Sequence, residues 1–374
     1  MRICYVNPTF LVKRPLSELV ERFGKEHDVG VLLPIRPFSK EMKLHHTKKL
    51  GTARVYTYWA VSLPGNFEWP IPISPMFFIN VCRMFRRYDA IHMWTFFYLN
   101  TFFVMLAKLL FAKKRLVISC DTFPGLSFSA GKMMDRLFKL FYTVKGWFVF
   151  GVPDRVHLYG KSLVPFARQA GVKERKIRVI STGVDEKQFE NVNTADRKSL
   201  GVKRDELMLF YAGLLVPRKG IDIMLETVKY VSGVKLVLAG EGPKRNEYER
   251  MSKEFHVSDQ VKFLGWRKDI PELLKASDVV FLPSRGEGLP GIVMEGMQAG
   301  KPIVSTDTPC IPDLVENGKQ GYLCTMETVE EFVAAIERLK DKKLREQMGQ
   351  AAKKKIKQFD WETLEEEYMK KLYE

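Results

Sequence analysis

At 374 residues the chain has room for two domains of ordinary size, and a hydrophobic content of 46% excludes global disorder. Its five cysteines, Cys4, Cys82, Cys120, Cys310 and Cys324, are odd in number and show no metal-ligand or redox spacing, which excludes a disulfide scaffold and points to a reducing compartment. The net charge of +16 is unevenly held: residues 1–180 carry 29 Lys and Arg against 11 Asp and Glu, residues 181–374 carry 31 against 33, so the first half expects an anionic partner.

In chain order, Met1–Pro8 is a short strand pattern, with the strand expected at Arg2–Val6, too brief and too soon broken for a secretory signal, so a cytoplasmic protein is expected. Further strands are expected at Val29–Leu33, Val55–Tyr58, Ala90–Met93, Leu116–Ser119 and Arg155–Leu158, with helical patterns such as Leu16–Phe23 and Phe77–Phe85 between them. Residues 34–75, rich in proline and bases, read as loop. Two aromatic-rich runs, Trp94–Phe111 and Lys132–Phe150, are interrupted too often to span a bilayer. Each reads either as a core helix or as a basic, amphipathic segment at a membrane interface. No recognition motif accompanies the charge, so a nucleic-acid partner is not expected.

The second half repeats the alternation, with strands expected at Met208–Gly213, Lys235–Ala239, Val261–Leu264, Val279–Leu282, Ile303–Thr306 and Gly321–Leu323. Two such halves predict an α/β chain of two Rossmann-like domains, 1–185 and 186–360, with ligands in a cleft at the carboxyl ends of both sheets. The expected strand Val279–Leu282 is followed by Ser284-Arg-Gly-Glu-Gly-Leu-Pro-Gly and then a helical pattern closed by Gly300. This places Glu287 in a glycine-rich loop and Glu295 in the first helical turns. Free N–H groups at such a helix start can hold phosphate, and a carboxylate one turn further in can accept two sugar hydroxyls. From spacing alone, an ordinary strand-to-helix connection fits as well. Lys219 starts another helix after a tight turn, where its ammonium can reach a diphosphate.

Glu287 and Glu295, with seven residues between them, resemble the glutamate signature of family 4 glycosyltransferases, retaining enzymes of the GT-B fold. Ala212–Asp222, Ala239–Pro243, Val261–Gly265, Ile180–Asp185 and Lys301–Val304 are similar to other family segments, in family order. The resemblance is dense from about residue 155 to 325 and thin before that. It implies two facing domains, with 1–185 binding the acceptor, 186–360 binding a UDP- or GDP-linked sugar, and 361–374 packing back on the first. It implies that Lys219 stabilises the leaving diphosphate, that Glu295 holds the ribose and that Glu287 faces the transferred sugar. Gly213, Gly240, Gly291, Ile292 and Val293 then surround the donor, and Arg267 is a weak candidate near the base.

The chain also departs from the pattern. Leu214 stands where many members have arginine, and Arg218 is the candidate for the second positive charge. Asn7-Pro8-Thr9 replaces a glycine pair. Cys120-Asp121 replaces a histidine, which makes Asp121 a candidate at the sugar or the acceptor hydroxyl, with His92 a weaker one. The resemblance implies a front-face reaction with no protein nucleophile, no cofactor and no metal, and no Asp-x-Asp pattern is present. The expected function is retaining transfer of a hexose to a lipid-linked or membrane-surface acceptor by a protein peripheral on the cytoplasmic membrane face. A soluble glycan acceptor, an epimerase or phosphorylase, and a non-catalytic nucleotide-sugar-binding protein are the alternatives. Nucleotide release that requires acceptor separates the second of these, and transfer above background the last.

Overall fold

The structure, a computed structural model, describes residues 1–10, 12, 14–36, 50–62 and 70–374. Among the described residues, eight strands form the first sheet: β1 (Arg2–Val6), β2 (Asp28–Ile35), β3 (Arg54–Ser62), β4 (Pro70–Pro72), β5 (Ala90–Trp94), β6 (Arg115–Cys120), β7 (Arg155–Leu158) and β8 (Ile177–Val179). Their spatial order is β4-β3-β2-β1-β5-β6-β7-β8, with every pair parallel except the antiparallel β3–β4 edge. The second sheet holds β9 (Leu207–Ala212), β10 (Val234–Ala239), β11 (Val261–Gly265), β12 (Val279–Leu282), β13 (Ile303–Thr306) and β14 (Gly321–Cys324), in the order β11-β10-β9-β12-β13-β14 and parallel throughout. The inner strands are continuous apolar runs because helices cover both faces of each sheet.

Residues 34–75, expected to be loop apart from four strand residues, hold a nine-residue β3 and the short β4; the remainder lies largely outside the described residues. β4 and β8 were not expected. Each is a three-residue edge strand, and β4 contains two prolines that an antiparallel edge can accept. Among the described residues no helix is long and apolar enough to cross a membrane.

Sheet order fixes where a ligand can sit. The strand sequence reverses between β1 and β5 in the first sheet and between β9 and β12 in the second, and crevices form at such points beyond the carboxyl ends. Val280 of β12 lies opposite Phe210 of β9, a register that ends both strands level. Their following loops therefore leave the sheet side by side.

The helix Trp361–Tyr368 returns to the first domain. Asp360 caps it by accepting from the Glu362 N–H, and the Val184 N–H donates to the Phe359 carbonyl at 2.9 Å. Trp361 is buried beneath Gly183, where a Cβ would fall 2.3 Å from the indole ring. Beyond it Leu372 and Tyr373 enter the core formed by β1, β2 and the helix Arg14–Phe23. We predict that Trp361→Ala costs about 3–5 kcal/mol, the usual cost of emptying a buried indole site. Denaturant unfolding checks this, and an unchanged midpoint would show that the returning helix does not hold the domain.

Candidate active site

The loop after β9 begins at Gly213, and the Tyr211 hydroxyl donates to the Leu214 carbonyl at 2.8 Å. Pro217–Lys219 then forms one tight 3-10 turn, ended by Gly220 at φ +68°. A Cβ there would lie 2.0 Å from the Pro283 carbonyl oxygen, so only glycine lets the loop cross beneath its neighbour from β12. That neighbour, residues 283–290, runs into the helix Gly291–Gln298, whose first turn has no side-chain cap.

Arg285 fastens the two loops. Its guanidinium donates to both oxygens of Asp222 at 3.0 and 2.6 Å, to Glu327 at 2.8 Å and to the Pro217 carbonyl at 2.6 Å. Its backbone N–H donates to the Arg218 carbonyl at 2.8 Å, and Arg218 in turn donates to the Gly286 carbonyl. Held this way, Lys219 Nζ reaches both oxygens of Glu287 at 2.7 and 2.9 Å, with Arg218 Nη1 3.7 Å from the same carboxylate.

Glu287 is only 5% exposed. Burial raises its pKa, but the charges of Lys219 and Arg218 and the Lys219 hydrogen bonds outweigh burial and hold it below the usual glutamate range. The carboxylate is therefore ionised near neutral pH. It can accept hydrogen bonds from hydroxyls but cannot serve as a proton donor.

A cavity of about 380 Å³ opens above this cluster, between the domains. The second domain supplies Ala212, Arg218, Lys219 and the stretch Glu287–Ile292. The first supplies Thr9, Trp94, Thr95, Tyr98, Asp121 and Phe128 among others. The loop tip is wedged there: Leu289 packs against the cores on both faces of the first sheet and against that of the second domain. Gly286 and Gly288 press on Phe128 and Asp121, where added Cβ atoms would come within 2.7 and 2.9 Å.

Two family models match end to end. Residues 13–188 fit the model described as Glycosyltransferase Family 4, and residues 192–355 fit Glycosyl transferases group 1. The chain belongs to the family 4-type glycosyltransferases. It is 32% identical over 195 residues to an Escherichia coli UDP-Gal:alpha-D-GlcNAc-diphosphoundecaprenol alpha-1,3-galactosyltransferase, covering 50% of each chain. Over 254 residues it is 30% identical to a Campylobacter jejuni N,N'-diacetylbacillosaminyl-diphospho-undecaprenol alpha-1,3-N-acetylgalactosaminyltransferase, covering 64% of this chain and 63% of that one. The matches span only 50% to 58% of the first three curated relatives. Over the whole chain the structure superposes on Anabaena HepE, solved with UDP and glucose, at a TM-score of 0.78 and 21% identity, covering 99% of that chain. The fold is GT-B, as in a Thermosynechococcus elongatus sucrose-phosphate synthase at a TM-score of 0.79, 18% identity and coverage of 100% and 98%.

In this glycosyltransferase-family chain, Lys219, Arg218, Glu287, Gly291, Ile292 and Asp121 all line the one cavity. Glu295 does not. It lines a smaller adjoining space of about 110 Å³ with Glu18, Thr182 and Gly183, and the two spaces share Pro15, Leu289 and Gly291. Val293 is fully buried in the core. Gly213 and Gly240 lie at adjacent strand ends, where a Cβ on Gly240 would sit 1.8 Å from the Gly213 carbonyl. Arg267 is tied to Asp269 at 2.8 Å on the surface and does not line either space. Among the described residues no group of three or more His, Cys, Asp or Glu is placed to hold a metal ion.

His92 sits in the domain core and not on the cleft wall. Its Nδ1 lies 2.5 Å from the Tyr373 hydroxyl and its Nε2 2.6 Å from Ser119 Oγ, which also meets His157 Nδ1 at 2.7 Å. Burial, with His157 beside it, drives the His92 pKa far down, so the ring is neutral. β5 is central in its sheet, and a side chain two residues before its end faces the core.

Two features escaped sequence reading. Arg285 was visible only as part of a motif, because its partners Asp222 and Glu327 are distant in sequence. Thr95 holds φ +60°, a strained conformation for a β-branched residue, at the end of β5 where it lines the cavity. No sequence signal marks it.

We predict that Glu287→Gln destabilises the unliganded protein by about 3 kcal/mol, since it leaves Lys219 facing a neutral group in a largely buried setting. The sign with pH follows from the lowered pKa. The carboxylate's contribution is complete above the unfolded glutamate value of 4.5 and is lost as pH falls through the lower folded value. Denaturant unfolding of wild type and variant should therefore differ at pH 7 and converge on acidification below 4.5.

Proposed function

We propose that the chain is a retaining glycosyltransferase that moves a hexose from a nucleoside-diphosphate sugar to a lipid-linked acceptor at the cytoplasmic membrane face. The observation that carries this reading is the cluster of Lys219, Arg218 and ionised Glu287 beside the uncapped start of helix Gly291–Gln298, within one interdomain cavity. Two cations and a helix start suit a diphosphate, while an ionised carboxylate suits sugar hydroxyls. Both named bacterial relatives are, by name, transferases acting on diphosphoundecaprenol-linked sugars, and one uses UDP-galactose. A uridine donor and a polyprenyl-diphosphate acceptor are the corresponding choices here.

In the reaction the bond between the anomeric carbon and the diphosphate oxygen breaks, and its electron pair stays on phosphate. The acceptor oxygen bonds to the same face of that carbon and passes its proton to the departing phosphate oxygen. Lys219, Arg218 and the Gly291 and Ile292 N–H groups stabilise the charge that develops there, so the chemistry needs no metal and no protein nucleophile. For donor binding, Lys219 shares its hydrogen bonds between Glu287 and phosphate. Glu287 orients the hexose, Glu295 in the adjoining space holds the ribose hydroxyls, and Asp121 orients the acceptor hydroxyl across the cavity.

Lys219→Ala should lower kcat by at least ~10-fold, the scale of losing one charged group at a transition state. Glu295→Gln should weaken nucleoside-diphosphate binding about 10-fold, as expected for a charged hydrogen-bond acceptor, with a smaller effect on transfer. Glu287→Gln should do the reverse. Calorimetric titration with UDP and steady-state transfer separate these effects. A folded Lys219→Ala variant with unchanged turnover, or reversed behaviour of the two glutamates, would contradict the assignments. Product anomeric configuration, read by NMR, tests retention.

A further inference from the structure

Three consecutive crossover helices, Met76–Arg87, Leu99–Leu110 and Lys132–Val149, cover one face of the first sheet, and their buried sides form a single core cluster. They are neighbours as well: the rings of Phe78 and Phe103 lie 5.1 Å apart and those of Phe102 and Phe148 5.2 Å apart. Their outer sides therefore form one continuous surface, and it is apolar in a way that core packing does not explain. On the longest helix the exposed large apolar side chains are Met133, Leu137, Leu140, Val144 and Trp147, spaced four, three, four and three residues apart. That spacing is one helical stripe, about 21 Å long at 1.5 Å per residue. Leu137 is 51% exposed, Leu140 59% and Trp147 73%, and on the neighbouring helix Leu110 is 81% exposed. A soluble protein rarely presents such a stripe to water without a partner.

Charge selects the partner. The three helices carry eight Lys or Arg, of which Lys108 is buried on Asp154 at 2.9 Å, and a single acid, Asp135, which is engaged by Ser129 and the Ala130 N–H. Lys132, Arg136 and Lys139 each sit one position before a residue of the stripe and border it along one side. An apolar stripe bordered by cations, with a tryptophan at its end, matches the boundary between acyl chains and anionic headgroups. A protein partner would have to supply acid complementary to this whole border, and a second copy of the same face would set cation against cation.

We propose that this three-helix face is the surface by which the protein lies on an anionic lipid bilayer, with the stripe Met133–Trp147 inserted between headgroups. The inference rests on the lipid-linked acceptor reading above and adds an orientation to it. Strand carboxyl ends point into the cleft, so Tyr98, which lines the cavity, immediately precedes the helix Leu99–Leu110, and Phe128, which also lines it, lies four residues before Lys132 at the start of Lys132–Val149. Both helices start at the cleft lip and run away from it. A bilayer against their outer sides brings headgroups level with that lip, and a membrane-held diphosphate sugar enters the cavity without leaving the lipid.

The test uses the full chain with vesicles of phosphatidylcholine alone and of phosphatidylcholine mixed with phosphatidylglycerol. Wild type should sediment with the mixed vesicles and release as salt is raised. Leu137→Glu with Leu140→Glu, both at exposed positions, should lower that partition at least ~10-fold, because binding scales with inserted apolar area and attraction to anionic lipid. Donor hydrolysis and transfer to a detergent-dispersed acceptor should remain at wild-type rates, while transfer to acceptor embedded in vesicles should fall. Equal partition of variant and wild type, or equal partition to both vesicle types, would overturn the proposal. So would dimerisation in solution that the double variant abolishes. Wild-type transfer in detergent with no vesicle binding would remove this face and leave the lipid-acceptor reading intact. Absence of transfer in detergent would remove that reading itself.

Discussion

An ionised carboxylate taken out of water costs several kcal/mol unless cations meet it, and at Glu287 two do. Neither comes from its own loop. Lys219 and Arg218 follow β9 and Glu287 follows β12, strands adjacent only because the order of the second sheet reverses there. The pair exists when that sheet is assembled and not before. Arg285 makes the arrangement rigid by holding Asp222 and the Pro217 carbonyl, and Gly220 makes it possible by letting the backbones cross. The wedge of Leu289 between three cores then ties the cluster to the other domain. A site built this way places positive charge where a diphosphate can reach it while keeping that charge balanced in the empty protein.

The sheets were largely legible in the sequence because parallel strands buried on both faces are written as continuous runs of Val, Ile, Leu and Phe, and β1, β7, β12 and β13 have the expected bounds. Glu287 and Lys219 were also legible, but only as neighbours of a ligand; nothing in their spacing shows that they meet each other. A hydrogen-bond partner is a tertiary fact, which is why Arg285 is legible only as part of its motif and why His92, a core residue, stands in the sequence as a weak candidate for the site. Its partner Tyr373 lies 281 residues away, at the end of the chain. The aromatic runs were ambiguous for a related reason. Periodicity shows that Lys132–Val149 has two faces, but only the packed sheet shows which five large side chains are left outside.

The two domains divide the physical work. The second half is near neutral because its many bases and acids balance, and it sets one cluster of three charged residues, Lys219, Arg218 and Glu287, at the cavity. The first spreads a large positive excess over its surface and leaves an apolar stripe between those charges. Their meeting line is the cavity, where the strained backbone of Thr95 and the carboxylate of Asp121 face the glycine-rich loop. Small residues at Gly286 and Gly288 let that loop approach the first domain closely, so the closeness of the domains is set by the same stretch of chain that carries Glu287.

The central claim is that Lys219 is held by Glu287 until a donor diphosphate shares it. A crystal structure of the protein with a bound nucleoside diphosphate tests this most directly. The account predicts a diphosphate oxygen within hydrogen-bond distance of both Lys219 Nζ and the Gly291 or Ile292 N–H, with Glu287 still within reach of the ammonium. A nucleotide bound elsewhere, with Lys219 paired to Glu287 as in the empty protein, would contradict it.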